Sequence, residues 1–307
     1  MSFGASGCAV VRVPASSANL GPGFDAVGLA LGLHDEVTVT VTGESGPAVV
    51  EVTGSGAGTV PAGDEHLVVR SLRTALARAG APAGVGLHLL CRNAVPHGRG
   101  LGSSATAVVT GVVAAGALLP EGALSRDDVV HLTSELEGHP DNAAASVLGG
   151  MTLGWRDAAR GGRWHAVRLE VHPRVEVVLC VPAEELPTAR ARAMLPESVP
   201  HGDAAFTAGR AALLVEAMTR SPGLLLPATE DRLHQNQREA AMPATLDLVR
   251  RLRAGGLAAT VSGAGPSVLV LTTPDRADDV KALAVGWQVL RPGIDTRGAQ
   301  VLARSDG

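Results

Sequence analysis

The stretch Pro96-His97-Gly98-Arg99-Gly100-Leu101-Gly102-Ser103-Ser104-Ala105 sets glycines at every second position and follows them with two serines. Glycine lets a backbone take positive φ and come close to a bulky anion. The free N–H groups at the start of a following helix, aligned with its dipole, attract that anion. The loop therefore reads as a phosphate cradle. It is not a Walker A loop, because no Lys follows the glycines, and the third glycine of a Rossmann fingerprint is missing. A cradle without its own Lys needs positive charge from elsewhere. A Mg²⁺ held by a Ser hydroxyl and a nearby carboxylate is the natural complement.

That carboxylate is expected from the acidic stretch just downstream, where Glu135, Glu137, Asp141 and Asn142 converge. Glu135 also reads as part of a solvated helix face. A zinc site through His131, Glu135 and His139, spaced by four, is the alternative, but Gly138 and Pro140 interrupt the helical face it would need.

The elements around these residues must position them. Val10–Val13 and Glu36–Val41 alternate as strands, and the Gly/Pro-rich residues 14–28 between them read as a ligand loop. Asp64 is the expected N-cap of a helix whose apolar residues Leu67, Val68, Leu72, Leu76 and Ala79 recur at helical spacing until Gly80. A strand with Val85, Leu87, Leu89 and Cys91 on one face leads into the glycine loop. The nearly all-apolar run from Ala105 to Leu118 then predicts a helix buried on most sides. Another helix runs from Ser125 to about Glu137, and a short one follows Asp141-Asn142. Beyond Gly150 the pattern restarts, with strands at Trp164–Val171 and Val175–Val181, two or three helices between Thr188 and Arg253, and a strand pair around Ser262-Gly263-Ala264-Gly265-Pro266. This places a domain boundary near residue 160, giving domains 1–160 and 161–307.

Composition narrows the class of function. With 307 residues, 46% hydrophobic and 18% charged, the chain can bury more than one core, with a cleft between two lobes as the place for small ligands. A net charge of −4, 2% aromatic residues and no Tyr argue against nucleic acid as a partner. Three widely spaced cysteines form neither a disulfide framework nor a zinc knuckle. No apolar run reaches the roughly 18 residues of a membrane span, and no leader pattern opens the chain. A cytoplasmic protein with no membrane partner is expected.

The glycine loop resembles the phosphate-binding motif P-x-x-x-G-L-G-S-S-A of the GHMP kinases. Within that superfamily the chain is similar to the homoserine kinases, through residues 13–25 (Val-Pro-Ala-Ser-Ser-Ala-Asn-Leu-Gly-Pro-Gly-Phe-Asp), residues 137–142 (Glu-Gly-His-Pro-Asp-Asn), Thr188 to Pro196, and residues 231–235 (Asp-Arg-Leu-His-Gln). The glycine turn at residues 262–267 is shared more widely. These segments run in family order over nearly the full length. The resemblance implies an α+β, two-lobed fold, with an N-terminal lobe carrying the phosphate loop and a C-terminal ferredoxin-like α/β-sandwich lobe. It implies ATP-dependent phosphorylation of L-homoserine to O-phospho-L-homoserine, a step of threonine biosynthesis. A GHMP enzyme for another small alcohol and a non-catalytic nucleotide-binding protein are the alternatives. A homodimer stays open as the assembly.

Carried over by position, Pro96, His97, Gly98, Arg99, Gly100, Leu101, Gly102, Ser103, Ser104, Ala105 and Thr106 would hold the ATP phosphates. Ser104 and Glu137 would hold Mg²⁺, with Ser103 and Glu135 as the other candidates. Asn142 would meet the substrate hydroxyl, and Asp141 would serve as base or as orienter. Asn19, Asp25, His139, Asp141, Asn142, Arg192, Arg238 and Gly263 would line the substrate pocket. The chemistry fits, since a zwitterionic amino acid needs a carboxylate near its ammonium, which Asp25 offers, and Arg forks near its carboxylate, which Arg192 and Arg238 offer. Asn236-Gln237 before Arg238 departs from the Pro-Tyr more usual in the family, and Ser16 stands where Thr is frequent.

Overall fold

The computed structural model describes residues 7–43 and 45–306. The β-branched runs at the start pair as a long antiparallel hairpin of β1 (Gly7–Asn19) and β2 (Gly23–Gly43), from Gly7 opposite Val41 to Asn19 opposite Gly23, with the register shifting after Pro14 and after Ala18. The expected ligand loop at residues 14–28 is therefore mostly strand, with only residues 20–22 turning. Its small residues are there for close packing, since a Cβ on Gly28 would lie 1.9 Å from the carbonyl oxygen of Asp141. The far edge of β2 pairs twice, through Glu36–Gly43 with β4 (Gly86–Asn93) and through Val27–Leu29 with β5 (Met151–Asp157). β3 (Ala48–Gly54) lies parallel to β4, and β6 (Arg163–Leu169) antiparallel to β5.

Four helices cover one face of this sheet: α1 (Leu67–Arg78), α2 (Ser103–Leu118), α3 (Arg126–Glu137) and α4 (Asp141–Leu148). Val39, Leu72, Leu76, Leu89, Val109 and Val112 are among the buried residues of that layer. Ser125 caps α3 in a reciprocal capping box with Asp128. Asp64 is not the cap of α1; His66 holds that position, and Asp64 instead pairs with Arg73 at 2.7 Å.

The second sheet has the order β10-β7-β9-β8, all antiparallel, from β7 (Glu176–Val181), β8 (Ala258–Val261), β9 (Val268–Thr272) and β10 (Gln288–Leu290). Between Thr188 and Arg253 the chain forms α5 (Thr188–Arg192), α6 (His201–Thr219), α7 (Leu225–Ala228) and α8 (Pro243–Ala254). That is one helix more than expected, because α5 and α7 are too short to show periodicity. With α9 (Ala277–Leu283) between β9 and β10, the lobe follows a β-α-β-β-α-β path, the ferredoxin-like form expected. α8 and α9 pack on one face through Leu246, Val249 and Val280. The other face sends Leu179 and Leu271 against Leu214 and Met218 of α6 and against Leu20, Leu29 and Met151 of the first lobe. One apolar layer thus joins the lobes.

β6 and the last strand, β11 (Gln300–Asp306), which pairs with β1, both belong to the first sheet. The strand partners therefore carry the first lobe past the expected boundary near 160 to Leu169 and return the C-terminal segment to it. No helix among the described residues is long and apolar enough to cross a membrane.

Candidate active site

The glycine loop lies between β4 and α2, as expected. Gly102 stands at the N-cap of α2 in the left-handed region (φ 71°), no side chain caps the helix, and its first turn holds no acid. The positive end of a 16-residue helix is thus left to whatever anion enters. A Cβ at Gly102 would lie 2.3 Å from Ser16 Oγ, and one at Gly100 2.2 Å from the carbonyl oxygen of Ser262. These positions need glycine because the Ser16 side chain crowds one and the Ser262 backbone the other, and both hold positive φ. Ser262 Oγ donates to the Gly100 carbonyl at 2.6 Å and lies 2.8 Å from Ser17 Oγ, which fixes the second glycine turn against the first.

Not every loop residue faces the anion. The Arg99 guanidinium turns to the carbonyls of Pro182 and Ala183 and to Glu185 at 2.9 Å. Leu101 is buried in the apolar layer between the lobes. These two support the cradle by anchoring it. Pro96 and His97 sit at the loop's entry, where the His97 N–H donates to Ser55 Oγ. Thr106 bonds back to Gly102 within the first turn of α2.

Ser104 Oγ donates to Glu137 Oε1 at 2.7 Å. Burial pushes the Glu137 carboxyl above the usual carboxylate range, against the opposing pull of that hydrogen bond. Glu135, by contrast, is spent on Arg78 at the surface. His131 accepts from the Trp164 N–H, so the zinc alternative through His131, Glu135 and His139 is not assembled. Among the described residues the one group with metal-ligand proximity is Asp25, His139 and Asp141.

Asp141 opens α4 beneath the loop. Its Oδ1 accepts from His139 Nδ1 at 2.6 Å and from the Asn142 N–H at 2.7 Å. Burial disfavours a charged His139, but the hydrogen bond to Asp141 and the charges of Asp141, Asp25 and Glu137 outweigh it and raise its pKa. Ser16 Oγ donates to Asn142 Oδ1 at 3.0 Å, which leaves the Asn142 amide N–H groups to face a ligand.

The other wall comes from the hairpin turn and the second lobe. Asn19 and Asp25 hold positive φ (72° and 54°) without being glycine, a strained conformation that sites retain when the surroundings enforce it. Here the Asn19 side chain enforces it, accepting from the Asp25 N–H and donating to the Gly263 carbonyl at 2.9 Å. Asp25 and Arg192, expected to take opposite ends of a ligand, grip each other through two bonds of 2.8 and 2.9 Å. Arg238 is only 2% exposed and has no carboxylate partner among the described residues; it meets the Ala191 carbonyl, the Gly263 carbonyl and His234 Nδ1. A buried guanidinium without a counter-ion is a site prepared for an anion.

One cavity of about 200 Å³ gathers these groups, and Asn19, Asp25, Glu137, Asp141, Arg192 and Arg238 all line it. Phe24 and Thr188 line it too, with Ser16 beneath it; all three fall in segments that carry the family likeness but were given no site role, and a rare aromatic in a Gly/Pro-rich run was the available signal for Phe24. A second cavity of about 210 Å³ adjoins it, shares Ser103 and Ser104, and is walled by Val60, Pro61, Leu67 and His66 with Asp35 opposite. Another cavity, about 730 Å³, opens where the chain crosses between lobes and holds none of the loop residues.

Comparison with known proteins identifies the fold that carries this site. Residues 66–150 match the model of the GHMP kinases N terminal domain, and residues 204–282 that of the GHMP kinases C terminal domain. The chain is 53% identical over 295 residues to the homoserine kinase of Streptomyces coelicolor, covering 95% of this chain and 94% of that one. It is equally similar, 53% over 293 residues, to that of Rhodococcus opacus, with 91% and 92% covered. The crystal structure of homoserine kinase from Cytophaga hutchinsonii superposes with a TM-score of 0.84 at 25% identity, covering 98% of this chain and 99% of that one.

Proposed function

This chain belongs to the homoserine kinases of the GHMP family, and from that premise we propose how its residues divide the work. The enzyme transfers the γ-phosphoryl group of ATP to the hydroxyl of homoserine. The single observation that supports the residue roles is the joining, in one cavity, of an uncapped helix N-terminus with a buried guanidinium that lacks a counter-ion. The first suits phosphate and the second suits the carboxylate of an amino acid.

In this reading the backbone from Gly98 to Ala105 cradles the β- and γ-phosphates, and the base occupies the adjoining cavity around Pro61 and Leu67. Ser104 and Glu137 offer hard oxygen donors side by side, a set that fits Mg²⁺ rather than zinc. Bound there, Mg²⁺ would neutralise phosphate charge as the bond to the leaving ADP lengthens. Arg238 and Arg192 take the substrate carboxylate, and Asp25 takes the ammonium. Asn142 donates to the substrate hydroxyl oxygen. That oxygen forms the new bond to the γ-phosphorus as the bridging P–O bond breaks, and its proton leaves to a phosphate oxygen. Asp141 acts as orienter, its Oδ1 holding His139 and the Asn142 N–H; positioning and charge neutralisation carry most of such a reaction, so no dedicated base is required.

An ADP-release assay over homoserine, serine, homoserine methyl ester and mevalonate tests the reading. Turnover with homoserine at least ~100-fold above the ester is expected, the loss that follows when a buried cation is left unpaired. Equal turnover of ester and acid would remove the Arg residues from the substrate site.

A further inference from the structure

His234 is buried in the second lobe, with a side chain 1% exposed. Its Nε2 lies 2.7 Å from the carbonyl oxygen of Gly21. A carbonyl only accepts, so Nε2 carries the hydrogen. Its Nδ1 lies 3.0 Å from Arg238 Nη1, which only donates, so Nδ1 carries the lone pair. Only the neutral imidazole protonated at Nε2 satisfies both contacts at once. The ring also stacks on Phe24, centroids 5.0 Å apart. Phe24 in turn has Arg192 and Arg238 over its ring at 5.7 and 5.8 Å.

We propose that His234 is a positioning residue for substrate recognition, a neutral relay that holds the Arg238 fork with one nitrogen and ties it with the other to the hairpin turn bearing Asn19, Phe24 and Asp25. This inference rests on the reading of Arg238 as partner of the substrate carboxylate. Arg238 is anchored on its remaining sides by the carbonyls of Ala191 and Gly263. Without His234 the guanidinium loses the contact that sets its rotation relative to the hairpin. The titratable and charged groups facing the ring are Asp231 on its own segment, Arg238 one turn on, and Asp25 across the cavity. Asp231 is occupied by the N–H groups of Leu233, His234 and Gln235. Burial keeps the imidazole below the usual histidine range, which agrees with a neutral relay.

Two variants separate its contacts. His234→Phe keeps the ring but loses both hydrogen bonds, and His234→Asn keeps an acceptor near the position of Nδ1. The probes are homoserine and aminopropanol, which is homoserine without its carboxylate. His234→Phe is expected to raise the homoserine KM by ~10- to 100-fold, the range for losing a hydrogen bond to a charged group. The ATP KM and the weak turnover of aminopropanol should stay within about threefold of wild type, and His234→Asn, which keeps the Arg238 contact but loses the tie to Gly21, should fall between wild type and His234→Phe in homoserine KM. An equal loss for homoserine and aminopropanol, an unchanged homoserine KM, or His234→Asn as impaired as His234→Phe would each overturn the relay. If His234→Phe fails to fold, the pair of probes is applied to His234→Leu, which also lacks both hydrogen bonds, and a homoserine preference kept by that variant but lost in Arg238→Leu overturns the relay. Failure of wild-type protein to prefer homoserine over aminopropanol would overturn instead the reading of Arg238 itself.

Discussion

The two halves of the cavity bind charge by different means. The phosphate half is made of backbone: N–H groups at the start of α2, glycines crowded by Ser16 and Ser262, and one hydroxyl–carboxylate pair. The amino-acid half is made of side chains from four separated segments, and their charges are already matched to one another or to carbonyls. Backbone dipoles cannot be removed by substitution, only displaced, whereas a side-chain clamp can be dismantled one charge at a time. The half that binds the common donor therefore depends on glycines that let its backbone keep its place, and the half that selects the acceptor depends on individual charges.

The most severe test of this contrast is Arg238→Leu. It should lower kcat/KM for homoserine by ~30- to 3,000-fold, the cost of stranding the substrate carboxylate in a buried site, while the ATP KM barely moves. Steady-state kinetics with each substrate varied in turn reads this, and a raised ATP KM would place Arg238 on the wrong side of the comparison. Gly102→Val attacks the other half. Its Cβ would sit 2.3 Å from Ser16 Oγ at a φ of +71°, so the loop must move. A shift of about 1 Å costs ~100-fold in turnover, and here the ATP KM should rise along with it. An intact melting temperature and unchanged kinetics would show that the loop carries no phosphate.

The same contrast explains what was legible in the sequence. The phosphate loop and its helix are one contiguous stretch, so residue type and spacing sufficed to place them, whereas the Ser104–Glu137 pair, 33 residues apart, came from the family likeness with Ser103 and Glu135 still open. Part of each sheet was also readable, but β3, β5, β10 and β11 were not expected, and Ser16, Ser17 and Gly28 looked like loop when they are small residues in strands pressed against α4 and the second lobe. The amino-acid half depends on contacts such as Ser16 to Asn142 and His234 to Gly21, separated by 126 and 213 residues, and no periodicity records them. Family likeness supplied Asp25, Arg192 and Arg238 as candidates; that Asp25 and Arg192 hold each other required coordinates.

Ser104→Ala sharpens the comparison at the one point where the phosphate half uses side chains. Removing the hydroxyl that bonds Glu137 should raise the Mg²⁺ concentration for half-maximal activity by ~10-fold. The homoserine KM measured at saturating Mg²⁺ should not change. A shift in homoserine KM without a shift in the Mg²⁺ requirement would assign Ser104 to the acceptor instead.

The smallest expected effect on activity concerns Asp35, a buried carboxyl group on the base side that is 5% exposed. Its Oδ1 accepts from the N–H groups of Ala94 and Val95 at 2.8 and 2.9 Å, which anchors the chain entering the phosphate loop. Burial nevertheless dominates and lifts its pKa from 3.8 to about 6. The folded protein thus holds this proton more tightly than the unfolded chain does. Its contribution to stability is fully present below the unfolded pKa and is lost as pH rises through about 6, where ionising a buried group opposes folding. Asp35→Asn keeps an oxygen for the two N–H donors and cannot ionise. Relative to wild type, the variant should gain on the order of 1 to 3 kcal/mol between about pH 4 and about pH 7.5. Denaturant melts of both proteins across that range read the difference, from which all other titrating groups cancel. A gap that stays constant with pH would mean that Asp35 is ionised without penalty, and a gap that closes as pH rises would reverse the sign. The expected slope, found together with an unchanged homoserine KM, would confine the strain of a buried charge to the nucleotide half of the molecule.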